Sequence, residues 1–379
     1  MNLERYPLQN PEQIASPALL YFREHILANL DAVIRIAGGV ERLRPHVKTH
    51  KTAALTQLQL ARGIRKFKCA TIAEAEMLAR AGAKDVLLAY SVVGPNIARV
   101  VRFRCLYPDV ALSVLADDAP AVELLAKECS AFNRNLGVLI DLDPGMHRTG
   151  VSMDEKAVEL ALHVAAQPGL TLRGLHCYDG NNRAPDFATR LETARQTLSV
   201  TRQLKSAIEG HGVAVPTLVM GGTPGFPCYA TFDDTELSPG TAFLHDWGYL
   251  RAFPDLPFTP AALLLTRVIS RPAADIFTLD LGSKGIAADP QGARGHIPAY
   301  PDAEPLLQNE EHWVFRAPDA RPATQSEARP LPEVGAPLLV IPTHVCPTSA
   351  LYSEAIVIDG DGTVADRWPI TARNRSIGI

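Results

Sequence analysis

The chain carries no long run of one charge sign and only 24 aromatic side chains (12 Phe, 9 Tyr and 3 Trp) in 379 residues. No stretch approaches the ~18 uninterrupted apolar residues that a membrane-spanning helix needs. Six cysteines (Cys69, Cys105, Cys129, Cys177, Cys228 and Cys346) are scattered without a C-x-x-C pair. Neither a disulfide framework nor a cysteine-rich zinc module is written here, and a reducing compartment is expected. The opening MNLERYPLQNPEQIASP is polar and lacks the apolar core of a signal peptide. With a formal net charge of −4 and no basic patch, neither nucleic acid nor membrane is expected as a partner. The expectation is a soluble, cytoplasmic protein.

What is present in excess is proline, 30 residues beside 26 glycines, so many element ends are punctuated. Apolar residues make up 47% and charged residues 21%, enough for a large core. The length exceeds the ~250–300 residues at which one core stops growing, so two domains are expected.

After an opening helix through Leu27, Leu30 and Val33, strands read at 46–49, 67–70, 86–90, 112–116, 138–141, 172–178, 217–220 and 236–243. Between them, stretches such as 71–81, 119–131, 155–166 and 188–209 repeat apolar residues every three and four positions. Eight β/α repeats over residues 18–245 fit a (β/α)8 TIM-type barrel better than an open doubly wound sheet. From residue 246 to 379 the helical period gives way to prolines and short strands (263–270, 276–281, 338–341, 353–358), a second, all-β domain. Residues 289–331 read as long loops within it, and residues 1–17 could pack on either part.

Reactive groups of a barrel gather at the carboxyl ends of its strands. The first such end is RPHVKTHK, where strand alternation would put His46, Lys48 and His50 on one face. A lysine pointing inward loses hydration, and the lowered pKa suits an imine-forming amine; the ordinary alternative is a strand-end lysine that snorkels to water. Strand seven runs into MGGTPG, either a plain turn or a cradle in which Gly222 and Thr223 approach a phosphate. Strand five ends in IDLDPGMHRTGV, bringing Asp141, Asp143, His147 and Arg148 to the mouth, and strand six in HCYDG with His176 and Tyr178. In the β domain, IPTHVCPT would alternate His344 and Cys346 onto one strand face, where they could share a metal or simply sit in the core.

Taken together, RPHVKTHK, DPGMHRTGV (143–151), G-L-H-x-Y-x-G (174–180), GGTP, E-L-S-P-G-T from Glu236, SRP (270–272), LDLGSKG from Leu279, EEH (310–312) and IPTHVCPTSALY resemble, in order and across nearly the whole chain, the metal-dependent D-threonine aldolase and D-serine dehydratase family. Those are pyridoxal phosphate enzymes of the alanine racemase fold. The resemblance implies that Lys48 forms the imine with the cofactor, Arg148 stands near its phenolic oxygen, Tyr178 lines its ring, and Gly222 with Thr223 belong to the phosphate loop. It implies that His344 and Cys346 hold a divalent metal (Mn2+, Zn2+, Mg2+ or Co2+), and that the protein is a homodimer. Aldolase members commonly have Asp where Cys346 stands, whereas a Cys is found in dehydratase-type members.

The expected substrate is a small D-β-hydroxy amino acid. Retro-aldol cleavage to glycine and an aldehyde is favoured, with His50 as candidate base for the β-hydroxyl. The alternative is β-elimination from D-serine, D-threonine or 3-hydroxy-D-aspartate to a keto acid and ammonia, with Lys48 taking the α-proton. A racemase and a non-catalytic pyridoxal phosphate carrier are the remaining readings; carriers of that kind are single barrels, and the β domain argues against one. A sugar or aldose barrel enzyme would need paired carboxylates at strand ends, and Asp141 and Asp143, the only nearby pair, lie two residues apart on one strand.

Overall fold

The computed structural model describes residues 5–318 and 330–379. The chain divides into two units: one holds the residues up to Leu30 and Phe243–Arg373, the other Asp31–Ala242 and Asn374–Ile379. Strand β1 (Ala18–Phe22) belongs to the first, and the chain passes to the second within helix α1 (Arg23–Ala37).

The second unit is a curled parallel sheet wrapped by helices. Its strands are β2 (Lys66–Cys69), β3 (Asp85–Ser91), β4 (Ala111–Ala116), β5 (Leu136–Asp143), β6 (Val151–Ser152), β7 (Leu170–Cys177), β8 (Leu218–Met220) and β9 (Glu236–Leu237). Seven run in the order β2-β3-β4-β5-β7-β8-β9, with β6 paired on β5. The helices α2 (Ala53–Ala61), α3 (Ile72–Ala81), α4 (Asn96–Leu106), α5 (Ala119–Ala131), α6 (Glu155–Ala166) and α7 (Phe187–Gly210) alternate with them. Caps explain their starts: the Thr71, Asp118, Asp154 and Asp186 side chains each accept a first-turn backbone N–H. Gly82 ends α3 at φ 103°, a left-handed position that suits glycine.

The strand expected at 46–49 is absent. Leu43–His46 instead makes isolated parallel bridges, Leu43 to Leu237 and His46 to Lys68, which join β9 to β2 and complete the ring. Pro45 has no N–H, so the ladder cannot continue through it; its carbonyl accepts from Lys68 N at 2.9 Å, and a 3-10 turn (Val47–Thr49) follows. The strand expected at 236–243 is likewise shortened to β9 and a 3-10 turn at Thr241–Phe243.

The barrel interior is layered. At the amino ends of the strands, Arg44 reaches Asp85 and Glu236, both at 2.6 Å, and Lys66 reaches Glu236 at 2.6 Å. Above this charged layer, Leu87, Leu115, Leu139 and Val219 pack in one cluster. They come from β3, β4, β5 and β8, and β4 and β8 are not neighbours, so these side chains meet across the interior.

The other unit is a mostly antiparallel sheet. Helix α8 (Phe226–Tyr229) precedes the boundary and α9 (Trp247–Ala252) follows it; then come β10 (Ala262–Ala273), β11 (Ile276–Leu279), β12 (Gly295–His296), β13 (Glu304–Gln308), β14 (Trp313–Arg316), β15 (Pro337–Pro342), α10 (Val345–Leu351), β16 (Glu354–Ile358) and β17 (Val364–Pro369). The order is β13-β14-β11-β10-β1-β16-β17, with β15 on β10 and β12. Residues 18–22, expected to open the barrel, pair antiparallel with β10 and parallel with β16. Tyr6 and Ile14 join Leu20, Phe22, Leu263, Leu265, Ile341, Ile356 and Ile358 in its core, which draws the segment before β1 onto this sheet. The stretch read as loops at 289–331 contains β12, β13 and β14, whose few residues give too little periodicity to detect; residues 319–329 of it lie outside the described residues.

Candidate active site

At the carboxyl ends of the barrel strands, Lys48 lies in the 3-10 turn, and its backbone N–H donates to His46 Nδ1 at 3.3 Å. Its ammonium stands 5.8 Å from the centre of the Tyr178 ring, just beyond β7. The Arg148 guanidinium stands 4.8 Å from the same ring centre. Asp143 shapes the turn that carries Arg148: its carboxylate accepts from Gly145 N at 3.0 Å, His147 N at 2.9 Å and His147 Nδ1 at 2.8 Å.

Tyr178 is seated against glycine backbone. A Cβ on Gly222 would come 2.7 Å from its ring, and one on Gly180 2.5 Å. Gly221, with φ +68°, turns the chain out of β8. Thr223 Oγ1 accepts from Gly240 N at 3.1 Å and Ala242 N at 3.3 Å, tying the GGT loop to the segment after β9. Lys48, Arg148, Tyr178, Gly222 and Thr223, singled out in the sequence, therefore lie at one end of one barrel.

Below them, Asp141 Oδ1 and His176 Nδ1 are 2.7 Å apart, and Thr149 donates to Asp141 Oδ2 at 2.8 Å. Despite the opposing effect of burial, these bonds and the His176 and Lys68 charges hold the Asp141 carboxyl below its usual range. Burial takes His176 down to about 4, with Lys68 acting in the same direction. Among the described residues, His176 Nε2 and Ser238 Oγ are buried with no protein partner. His46 is pushed well below its ordinary pKa by burial and then by Lys48 and Lys68.

The alternation that put His50 beside Lys48 does not hold, because a 3-10 turn replaces the strand. His50 Nδ1 accepts from Thr52 N at 3.3 Å, its Nε2 is buried without a partner, and burial takes its pKa to about 3. His46 and Lys68 are the ionisable groups found near Lys48 instead. KFKC did carry a signal for Lys68, since alternation places Lys66 and Lys68 on one strand face. For Ser238 there was none.

In the sheet unit, His344 and Cys346 do not alternate on a strand: His344 precedes α10 and Cys346 lies in its first turn. His344 Nδ1 is 2.5 Å from Asp289 Oδ2, and the Cys346 thiol also bonds the imidazole. Asp246 caps α9 through Tyr249 N at 2.8 Å and takes Val345 N, between the pair, at 3.1 Å. Among the described residues no three His, Cys, Asp or Glu side chains are gathered closely enough to enclose a metal ion. A pair of protein ligands leaves the other positions to water or substrate.

Residues 23–246 match the alanine racemase N-terminal domain, and residues 261–358 a putative serine dehydratase domain. Across 377 residues the chain is 31% identical to a D-threonine aldolase of Arthrobacter sp, covering 96% of this chain and 94% of that protein. The chain belongs to the D-threonine aldolase and D-serine dehydratase family of the alanine racemase fold. A D-threo-3-hydroxyaspartate dehydratase of Delftia sp. (strain HT23) is 27% identical over 349 residues, covering 86% of this chain and 89% of that one. The crystal structure of D-threonine aldolase from Filomicrobium marinum superposes with a TM-score of 0.87 at 28% identity, over 97% of this chain and 98% of that chain. The family's enzymes use pyridoxal phosphate. Among the described residues, no helix is long and apolar enough to cross a membrane.

The barrel residues fit that cofactor. The glycine backbone under Tyr178 leaves no room for a Cβ, as a close-fitting cradle requires, and His176 Nε2 and Ser238 Oγ are buried polar atoms that need a partner from outside the chain. Nitrogen from His344 and sulfur from Cys346 suit a divalent ion of intermediate softness.

Proposed function

We propose that this protein is a pyridoxal phosphate- and divalent-metal-dependent carbon–carbon lyase that cleaves D-β-hydroxy amino acids, D-threonine first among them, to glycine and an aldehyde. The observation that carries the reading is the meeting of Lys48 and Arg148 on the Tyr178 ring beside the Gly222–Thr223 loop. The family's aldolases support the choice of reaction.

When bound, the cofactor supplies an electron sink for charge developing at Cα, and the metal a Lewis acid for the β-hydroxyl. The chain does the rest. The Lys48 amine would hold the cofactor through its aldehyde, Arg148 would offset the negative charge of its ring oxygen, Tyr178 would line its ring, and the GGT loop would receive its phosphate. His344 and Cys346 hold the metal. His50 was the candidate base for the hydroxyl proton; with a pKa of about 3 it is a weak one, and metal binding lowers the demand on any base by acidifying the hydroxyl.

Cys346 favours one second reading, β-elimination to a keto acid and ammonia, in which Lys48 would take the α-proton and a metal held by His344 and Cys346 would supply Lewis acidity for the leaving hydroxyl. Incubation with D-threonine separates the two: acetaldehyde and glycine against 2-oxobutyrate and ammonia. The same proposal includes a homodimer in a reducing cytoplasm, checked by sedimentation of the loaded protein.

A further inference from the structure

Lys68 is a lysine buried inside the barrel. It is 3% exposed, lies in β2 in register with Leu87 of β3, and is bridged on its other side to His46. Leu87 belongs to the interior cluster, so the Lys68 side chain enters the barrel rather than facing the helices. Among the described residues its ammonium makes no hydrogen bond and no ion pair.

The charged and titratable groups facing it come from every side. Arg44, His46 and Lys48 belong to the segment joining β9 to β2, Arg148 to the turn after β5, and His176 to β7. Two carboxylates, Asp141 and Asp179, share the interior with it. Both are engaged elsewhere: Asp141 by His176 and Thr149, Asp179 by the Tyr229 hydroxyl at 2.9 Å. Arg44 is likewise neutralised by Asp85 and Glu236. With Lys48, Lys68 and Arg148 facing Asp141 and Asp179, the interior holds more positive than negative charge. Burial, with Lys48 reinforcing it and Asp141 opposing, brings the Lys68 pKa down to about 7, the response of an ammonium that lacks its anion.

A buried, unpaired lysine costs stability, and the usual way to recover that cost is an anion that arrives with a ligand. We propose that Lys68 is a further cofactor-binding residue, whose ammonium takes an anionic oxygen of pyridoxal phosphate from the barrel interior. This rests on the reading of the barrel as a pyridoxal phosphate site.

The test compares wild type with Lys68→Met, Lys68→Gln and Lys68→Arg, stripped of cofactor and reloaded. The dissociation constant of pyridoxal phosphate and the pH titration of the visible band at about 420 nm are read for each. Lys68→Met and Lys68→Gln are expected to bind about 10–100-fold more weakly, the range for a lost charge-assisted bond, with a displaced band titration. Lys68→Arg, which keeps the charge, is expected to restore most of the affinity. Pyridoxal without its phosphate distinguishes the oxygen concerned: a loss that persists points to the ring oxygen, one that vanishes to the phosphate. Should Lys68→Met fail to fold, Lys68→Gln carries the same comparison. Wild-type affinity and an unshifted band in either variant overturn the inference, as does an effect confined to the KM for D-threonine. If wild type itself takes up no pyridoxal phosphate, the proposed function fails; if it does and the variants match it, this inference alone fails.

Discussion

Asp141 Oδ1 and His176 Nδ1 lie 2.7 Å apart inside the barrel, both side chains buried, with the imidazole's second nitrogen left without a protein partner. The carboxylate fixes the tautomer, since Nδ1 carries the proton that it donates to Asp141 and Nε2 is left as an acceptor. Asp141→Ala should therefore destabilise the protein by about 1–3 kcal/mol, because it strands a buried imidazole and the Thr149 hydroxyl. Urea unfolding at neutral pH measures this; a loss within error of zero would mean that the pair is not formed.

The buried histidines set an acid limit. His176 and His50 have folded pKa values near 4 and 3 against 6.5 when unfolded, and His46 is lowered as well. Between pH 6.5 and about 4 the unfolded chain binds more protons than the folded one, so stability falls as pH falls through that window. Lys68, with a folded pKa of about 7, adds a smaller effect of the same sign near neutral pH, Asp246, raised to about 6 by burial, opposes part of the fall between about 6 and 3.8, and Asp141 contributes only below its unfolded value of 3.8. Unfolding curves at pH 7.5 and 4.5 should differ by at least about 2 kcal/mol; equal midpoints would contradict the burial of these rings.

Gly222→Ala tests the cradle. Its Cβ would stand 2.7 Å from the Tyr178 ring, so the ring or the loop must shift. The expected result is a cofactor affinity or kcat/KM reduced about 10–100-fold with little change in unfolding midpoint, the size associated with misplacement by about 1 Å. Unchanged kinetics would remove Tyr178 from the site.

The metal pair makes a separate prediction. Asp289 accepts from His344 Nδ1 at 2.5 Å, which leaves Nε2 as the nitrogen that would take the proposed metal, and a carboxylate in that position orients the ring and raises its basicity. Asp289→Asn should weaken Mn2+ or Zn2+ binding about 10–100-fold in a chelator competition, without touching the visible spectrum of the loaded barrel. Activity indifferent to chelators in the wild type would sink the metal assignment altogether.

The barrel was readable because β/α alternation is a pattern of period and length, and both survive in a single sequence. Two pieces of local geometry were not. Period-2 reasoning around Lys48 failed because Pro45 interrupts the ladder and His46 caps a 3-10 turn, and around Cys346 because a helix starts at Val345. The faces assigned to these residues were not those the backbone presents. Lys68 and Ser238 were passed over for another reason: their distinction is a missing partner in the folded state, and the absence of a contact has no sequence signature. Asp289 stands 55 residues before His344, a pairing made only by folding.

Lys48→Ala should abolish the band at about 420 nm and the lyase activity while leaving the fold intact. Persistence of that band would move the cofactor lysine elsewhere.

The most direct test of the account is to load the protein with pyridoxal phosphate and Mn2+, add D-threonine, and identify the products. Acetaldehyde and glycine in equal amounts are predicted. Formation of 2-oxobutyrate and ammonia, or interconversion of D- and L-threonine with no cleavage, would contradict it.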